Sequence, residues 1–125
     1  MKDMAVVDSS VWIELLGKGA LAKKCAAALQ RHIIVGVPAL IVCEVCRKVQ
    51  KKISAEQALS VAAMLRQHGI LNMTDQIALL AVDLSIEHSL PMADSIVLAH
   101  AREMDAILIT MDNDFAKLDG VLVVR

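Results

Sequence analysis

The strongest constraint on how this chain can fold is a pair of short runs that are apolar at every position. They are Ala5-Val6-Val7 near one end and Ala106-Ile107-Leu108-Ile109 near the other. A strand with one wet face alternates apolar and polar residues, whereas a strand covered on both faces is apolar throughout, as in parallel sheets flanked by helices. Between and around these runs the pattern switches repeatedly between strand-like and helical. Strands are expected at Met4 to Val7, Ile33 to Val37, Ile70 to Met73, Ala106 to Thr110 and Val121 to Val124. Helices are expected at Ser9 to Leu16, stopped by Gly17, at Ala20 to Arg31, and from Pro38 to about Lys51. Three more are expected: Ser54 to His68-Gly69, Thr74 to Ser89 before Pro91, and Ala93 to Met104. A single helical turn is expected at Asp112 to Lys117. Ser54 with Gln57 three residues on fits a capping box, and Pro38 suits a first helical turn. Strands alternating with helices define the α/β class with a parallel sheet. No linker, repeat or low-complexity stretch divides the 125 residues, so residues 1–125 are expected to form one domain.

Two apolar runs matter more because of what ends them. Asp8 follows Val7, and Asp112 follows Thr110-Met111. In an open parallel sheet, chemistry sits beyond the carboxyl ends of the strands, so both acids are expected on one rim. Glu44 lies inside a helix among Ile41, Val42, Cys43 and Val45, and Asp94 lies at a helix start. Each has an ordinary local explanation. Asp8 and Asp94 can cap helices, Glu44 can pair with Arg47 or Lys48 at i+3 or i+4, and Asp112 and Asp114 are common turn residues. Together they form a set of acids in matching topological places. Crowded carboxylates cannot all stay ionised without a counter-charge, and hard oxygen ligands favour Mg²⁺ or Mn²⁺.

Composition narrows the partners. Net charge is −1 and aromatic residues are 2% of the chain, so neither bulk electrostatics nor a base-stacking platform argues for nucleic acid. Any such binding must use metal ions or a local patch. The best patch is Arg47, Lys48, Lys51 and Lys52 at the end of the Glu44 helix, which serves equally well as compensation of the helix dipole. Hydrophobic residues reach 57%, an excess that fits either an interface with another chain or a core simply rich in Ala, Val, Leu and Ile. The longest apolar stretch, Ile33 to Cys43, is interrupted by Gly36 and Pro38 and is too short for a bilayer, and no signal pattern is visible. A cytoplasmic protein with no membrane association is therefore expected. Three cysteines fit reduced thiols. Cys43 and Cys46 are read as buried structural thiols rather than a redox pair, because Pro38 starts their helix several residues earlier. His32, His68, His88 and His100 show no zinc spacing, and the methionines are read as core filler.

These residues resemble a known family. Val6-Val7-Asp8-Ser9-Ser10-Val11-Trp12-Ile13 is similar to the opening motif of PIN domains, and Glu44 stands where that family has a helical Glu after its second strand. The most specific match is Leu90-Pro91-Met92-Ala93-Asp94-Ser95-Ile96-Val97. Thr110-Met111-Asp112-Asn113-Asp114-Phe115 resembles the closing Thr-x-Asp-x-Asp-Phe motif. The likeness covers nearly the whole chain, in order, and size points to the VapC-like toxins of type II toxin–antitoxin modules. It implies a three-layer α/β/α sandwich with a five-stranded parallel sheet, and metal-dependent endoribonuclease activity. It also implies a homodimer, an RNA substrate and a cognate antitoxin. By motif, Asp8 and Asp94 would be the principal metal ligands, Glu44 and Asp112 would complete the acidic pocket, and Ser10, Thr110 and Asp114 would support it. The cysteines flanking Glu44 depart from the usual apolar pattern, and the modest pI implies few RNA contacts.

Two other readings fit the same elements. A PIN domain can serve in RNA processing without a toxin role. A non-catalytic receiver-like signalling domain has similar length and strand-end acids, but would need an acidic pair after the first strand and a Lys after the fifth. Asp8 has no acidic neighbour, and Val123-Val124-Arg125 supplies no Lys. A phosphatase of the haloacid-dehalogenase type would want Asp where Ser10 stands.

Overall fold

A computed structural model describes residues 2–125. The elements run β1 (Met4–Val7), α1 (Ser9–Leu16), α2 (Ala22–Gln30), β2 (Ile34–Pro38), α3 (Ala39–Lys52), α4 (Ala55–Arg66), β3 (Gly69–Leu71), α5 (Asp75–His88), α6 (Met92–Glu103), β4 (Ile107–Thr110), a 3₁₀ turn (Asn113–Phe115) and β5 (Val121–Val123). All five strands are parallel, in the order β3-β2-β1-β4-β5. Right-handed crossovers then put the β1-to-β3 connections on one face and the α5–α6 connection on the other. This is the parallel α/β sheet expected from the pattern and the α/β/α sandwich that the resemblance implies. Central β1 shows why its residues had to be apolar, since Ala5, Val6 and Val7 have no exposed surface at all.

The chain reverses its direction of travel across the sheet between β1 and β4, which pair in register from Ala5–Ile107 to Val7–Ile109. Such a switch point opens a crevice at the carboxyl strand ends. The Asp8 N–H donates to the Ile109 carbonyl at 2.9 Å, which seats that residue at the crevice's edge.

Several boundaries follow local chemistry closely. Ser54 and Thr74 cap α4 and α5, accepting from the N–H groups of Gln57 (3.0 Å) and Ile77 (3.2 Å). Ser89 turns left-handed at φ 54° and ends α5 before Pro91. Other expectations shift. Gly17 does end α1, but the left-handed residue is Lys18, at φ 51°. Strand β2 begins at Ile34 and leaves Ile33 83% exposed, because the strand pairs with β1 only from Met4–Ile34 onward. The third strand is Gly69–Leu71 rather than Ile70 to Met73. Of the cysteines, Cys25 is buried and Cys46 half-buried, but Cys43 is exposed and is not the buried thiol its apolar neighbours suggested. Among the described residues the methionines edge the core instead of filling it: Met4, Met64 and Met111 pack against it, while Met73, Met92 and Met104 are exposed. Among the described residues, no helix is long and apolar enough to cross a membrane.

Candidate metal centre

Asp8 is fixed first. It is the N-terminal cap of α1 and is buried. Its Oδ1 accepts from the Ser9 N–H at 2.9 Å, and its Oδ2 accepts from the Thr110 hydroxyl at 2.8 Å and the Ser10 hydroxyl at 3.3 Å. Capping and a place at the site are thus compatible roles for one carboxylate. The same hydroxyls tie the far side of the crevice, with the Asp112 N–H donating to Thr110 Oγ1 (3.0 Å) and the Met111 N–H to Ser10 Oγ (3.1 Å). Asp112 in turn caps the 3₁₀ turn by accepting from the Asp114 N–H at 2.9 Å. Thr110, itself without exposed surface, therefore links the ends of β1 and β4.

Asp94 is not a cap. Pro91 occupies that position of α6, and Asp94 makes no side-chain capping bond. Its carboxylate faces the 3₁₀ turn, so that one oxygen each from Asp94, Asp112 and Asp114 lie within 4.8 Å of one another. Burial, then the charges of Asp112, Asp8, Glu44 and Asp114, push the Asp94 carboxyl up to about 6. Glu44, half-buried on α3, is raised by burial and then by Asp8, with the Ser9 hydroxyl offsetting part of the shift. Asp8 is raised by burial, against which the Thr110, Ser9 and Ser10 donors pull down. Mutual repulsion therefore links Glu44, Asp8, Asp94, Asp112 and Asp114 at one place.

Among the described residues no Lys or Arg forms an ion pair with any of these acids, since the two pairs present join Lys2 to Asp105 and His88 to Glu87. Glu44 does not form an ion pair with Arg47 or Lys48. The donor set is all carboxylate oxygen, with no thiol or imidazole among it, which suits a hard divalent cation such as Mg²⁺ or Mn²⁺ rather than zinc.

Comparisons with known proteins identify the family and the fold. The family profile described as PIN domain matches residues 5–121. The chain belongs to the PIN domain family. This PIN domain is similar in structure to a toxin–antitoxin complex from Klebsiella pneumoniae, at 27% identity and TM-score 0.84, covering 97% of this chain and 98% of that one. It shares its fold with Mycobacterium tuberculosis VapC20, described as a sarcin–ricin-loop-cleaving toxin (16% identity, TM-score 0.75, 92% of this chain and 95% of that one). It also shares it with FitAcB from Neisseria gonorrhoeae (21% identity, TM-score 0.73, 98% and 97%). No curated protein sequence matches significantly.

Asp114, expected to support the other acids, has a carboxylate oxygen within 4.8 Å of those of Asp94 and Asp112. Ser9 was missed. It donates to Asp8, acts on Glu44 and lines the groove beside it. Its signal was available, since the residue after an N-cap acid presents a free N–H. Arg47, Lys48 and Lys51 are exposed on α3 and line that same groove.

Proposed function

We propose that this chain is a divalent-metal-dependent endoribonuclease that acts as the toxin of a type II toxin–antitoxin pair. The observation that carries the catalytic part is the unpaired acidic cluster at the switch point of the sheet, three of whose carboxylates converge within 4.8 Å. The toxin part is supported by the neighbours, which include toxin–antitoxin complexes.

Asp94, Asp112 and Asp114 would hold the cation, with Asp8 and Glu44 completing the acidic pocket. When bound, Mg²⁺ or Mn²⁺ would neutralise the cluster, polarise the scissile phosphate and make water more acidic. The protein's own share is positional. Thr110, Ser10 and the Ser9 N–H hold Asp8 in one orientation, so the cluster is preorganised rather than assembled at each turnover. Burial and the neighbouring acids push the Asp94 carboxyl up to about 6, and a bound cation would supply the counter-charge that offsets that repulsion. Hydrolysis by water leaves a 5′-phosphate and a 3′-hydroxyl and makes no use of the 2′-hydroxyl as nucleophile.

Purified protein incubated with RNA and Mg²⁺ or Mn²⁺ is expected to produce 5′-phosphorylated fragments, and EDTA to stop the reaction. Cleavage that survives complete chelation would sink the metal mechanism. Growth arrest on expression, relieved by a co-expressed neighbouring gene product, separates a toxin from an RNA-processing PIN domain.

The chain is further expected to be a homodimer. Helix α5 buries Ile77, Ala81 and Leu84 but leaves Leu79 67%, Val82 42% and Ile86 77% exposed. These three share one helical stripe, and an apolar stripe meeting its own copy across a two-fold axis is self-complementary. Ile86→Ala is expected to weaken self-association by at least about tenfold, as removal of one buried aliphatic side chain should. Sedimentation equilibrium showing a wild-type monomer at micromolar concentration would count against the dimer.

A further inference from the structure

A groove of about 540 Å³ opens directly beside the acidic cluster. Ser9 and Ile13 of α1 line it together with Glu44, Arg47, Lys48, Lys51 and Lys52 of α3, so one acid of the cluster and four cations share the groove. These four cations are exposed, and none of them forms an ion pair among the described residues. They fall in two rows, 47 with 51 and 48 with 52, one turn apart. At a rise of about 1.5 Å per residue the rows step about 6 Å along the groove, a spacing of the same order as that of consecutive phosphates in an extended strand. Leading away from Glu44, they provide positive charge on one side of the cluster.

We propose that this groove is a flanking-strand subsite, in which α3 grips about two phosphates of single-stranded RNA on one side of the scissile bond. It rests on the ribonuclease reading and adds where, and how, the strand is held. The groove contains no aromatic side chain, since Trp12 and Phe115 are both buried in the core. Bases are therefore not stacked there, and the grip is electrostatic, salt-dependent and indifferent to sequence. That also reconciles a net charge of −1 with RNA binding, because the basic residues that matter are concentrated on two turns of one helix.

The test is equilibrium binding of a fluorescent ten-nucleotide oligouridylate in EDTA, followed by anisotropy between 50 and 200 mM KCl. Two phosphates on a single strand predict an affinity loss of about sevenfold across that range. Lys51→Gln/Lys52→Gln should bind more weakly at 50 mM and lose only about 2.6-fold across the range, as for one phosphate. Lys23→Gln/Lys24→Gln, which removes equal charge from α2, should behave as wild type. Equal effects of the two double variants, no effect of the α3 variant, or tighter binding of an oligoglutamate peptide than of RNA would each overturn the subsite. Because the measurement is made in EDTA, its failure is separable from failure of the activity. A protein that cleaves RNA with Mg²⁺ but whose α3 variant binds normally retains the ribonuclease reading and loses this one. A wild-type protein that neither binds nor cleaves RNA loses both.

Discussion

Asp94→Asn is expected to reduce RNA cleavage to below a hundredth of wild type while leaving the fold intact. Loss of groups that merely orient metal ligands typically costs about 10–100-fold, and Asp94 stands in the converging triplet itself. Asn preserves the shape and removes the charge. The metal-free stability should move the other way, with a definite pH dependence. Burial and four neighbouring acids raise the Asp94 carboxyl from 3.8 to about 6. Below pH 4 it is protonated folded and unfolded alike, so it contributes no difference. Between pH 4 and 6 the folded state holds more protons than the unfolded one, and stability falls as pH rises through that window. Above pH 6 the full penalty is present. In EDTA, the Tm of Asp94→Asn relative to wild type should therefore be unchanged near pH 4 and increased at pH 7. Adding Mg²⁺ at pH 7 should reverse the order. It stabilises wild type by RT ln(1+[L]/Kd), about 2.7 kcal/mol at a hundredfold excess over Kd, and the variant less. An Asp94→Asn protein with full activity, or one that Mg²⁺ stabilises as much as wild type, would remove Asp94 from the centre.

Much of this was legible in the sequence, for identifiable reasons. β1 and β4 could be placed because doubly covered strands have no polar alternation to obscure them, and once they were placed, topology alone put Asp8 and Asp112 on one rim. Ser54 and Thr74 marked helix starts because a hydroxyl cap satisfies N–H groups that nothing else reaches. What stayed illegible depends on rotation or on neighbours remote in sequence. Helix phase around Glu44 was undetermined among apolar residues, so the exposure of Cys43 could not be read. Leu79, Val82 and Ile86 are as apolar as the residues α5 buries, and only packing against α6 shows which side is left uncovered. Asp114 joins Asp94 through the 3₁₀ turn that Asp112 caps. Its proximity is a product of that turn and of α6, and nothing in Asp112-Asn113-Asp114 alone reports it.

Thr110 offers the other large effect, because one buried hydroxyl serves both sides of the crevice. It donates to Asp8 Oδ2 at 2.8 Å and accepts from the Asp112 N–H at 3.0 Å. Thr110→Val has nearly the same shape, so packing is preserved and only the two hydrogen bonds are lost. The bond to a carboxylate contributes about 1.5–3 kcal/mol, and the Asp112 N–H is left without its partner, so a stability loss of about 2–3 kcal/mol is expected in chemical denaturation. Cleavage should fall by roughly 10–100-fold, the range for a group that orients a metal ligand, because Thr110 Oγ1 also holds the backbone N–H of Asp112, a proposed ligand. A purely structural role would end there. A positioning role predicts more, since the Thr110 donor is the largest influence holding the Asp8 carboxyl down against burial. Without it the Asp8 carboxyl rises further, and the acid limb of the pH–rate profile should move to higher pH. Thr110→Ser keeps the hydroxyl and should restore both the limb and most of the rate, while remaining slightly less stable for want of a buried methyl group. If Thr110→Val lowers stability but leaves the acid limb where it is in wild type, Thr110 is only a strut between β1 and β4, and the orientation of Asp8 must be set by Ser9 and Ser10.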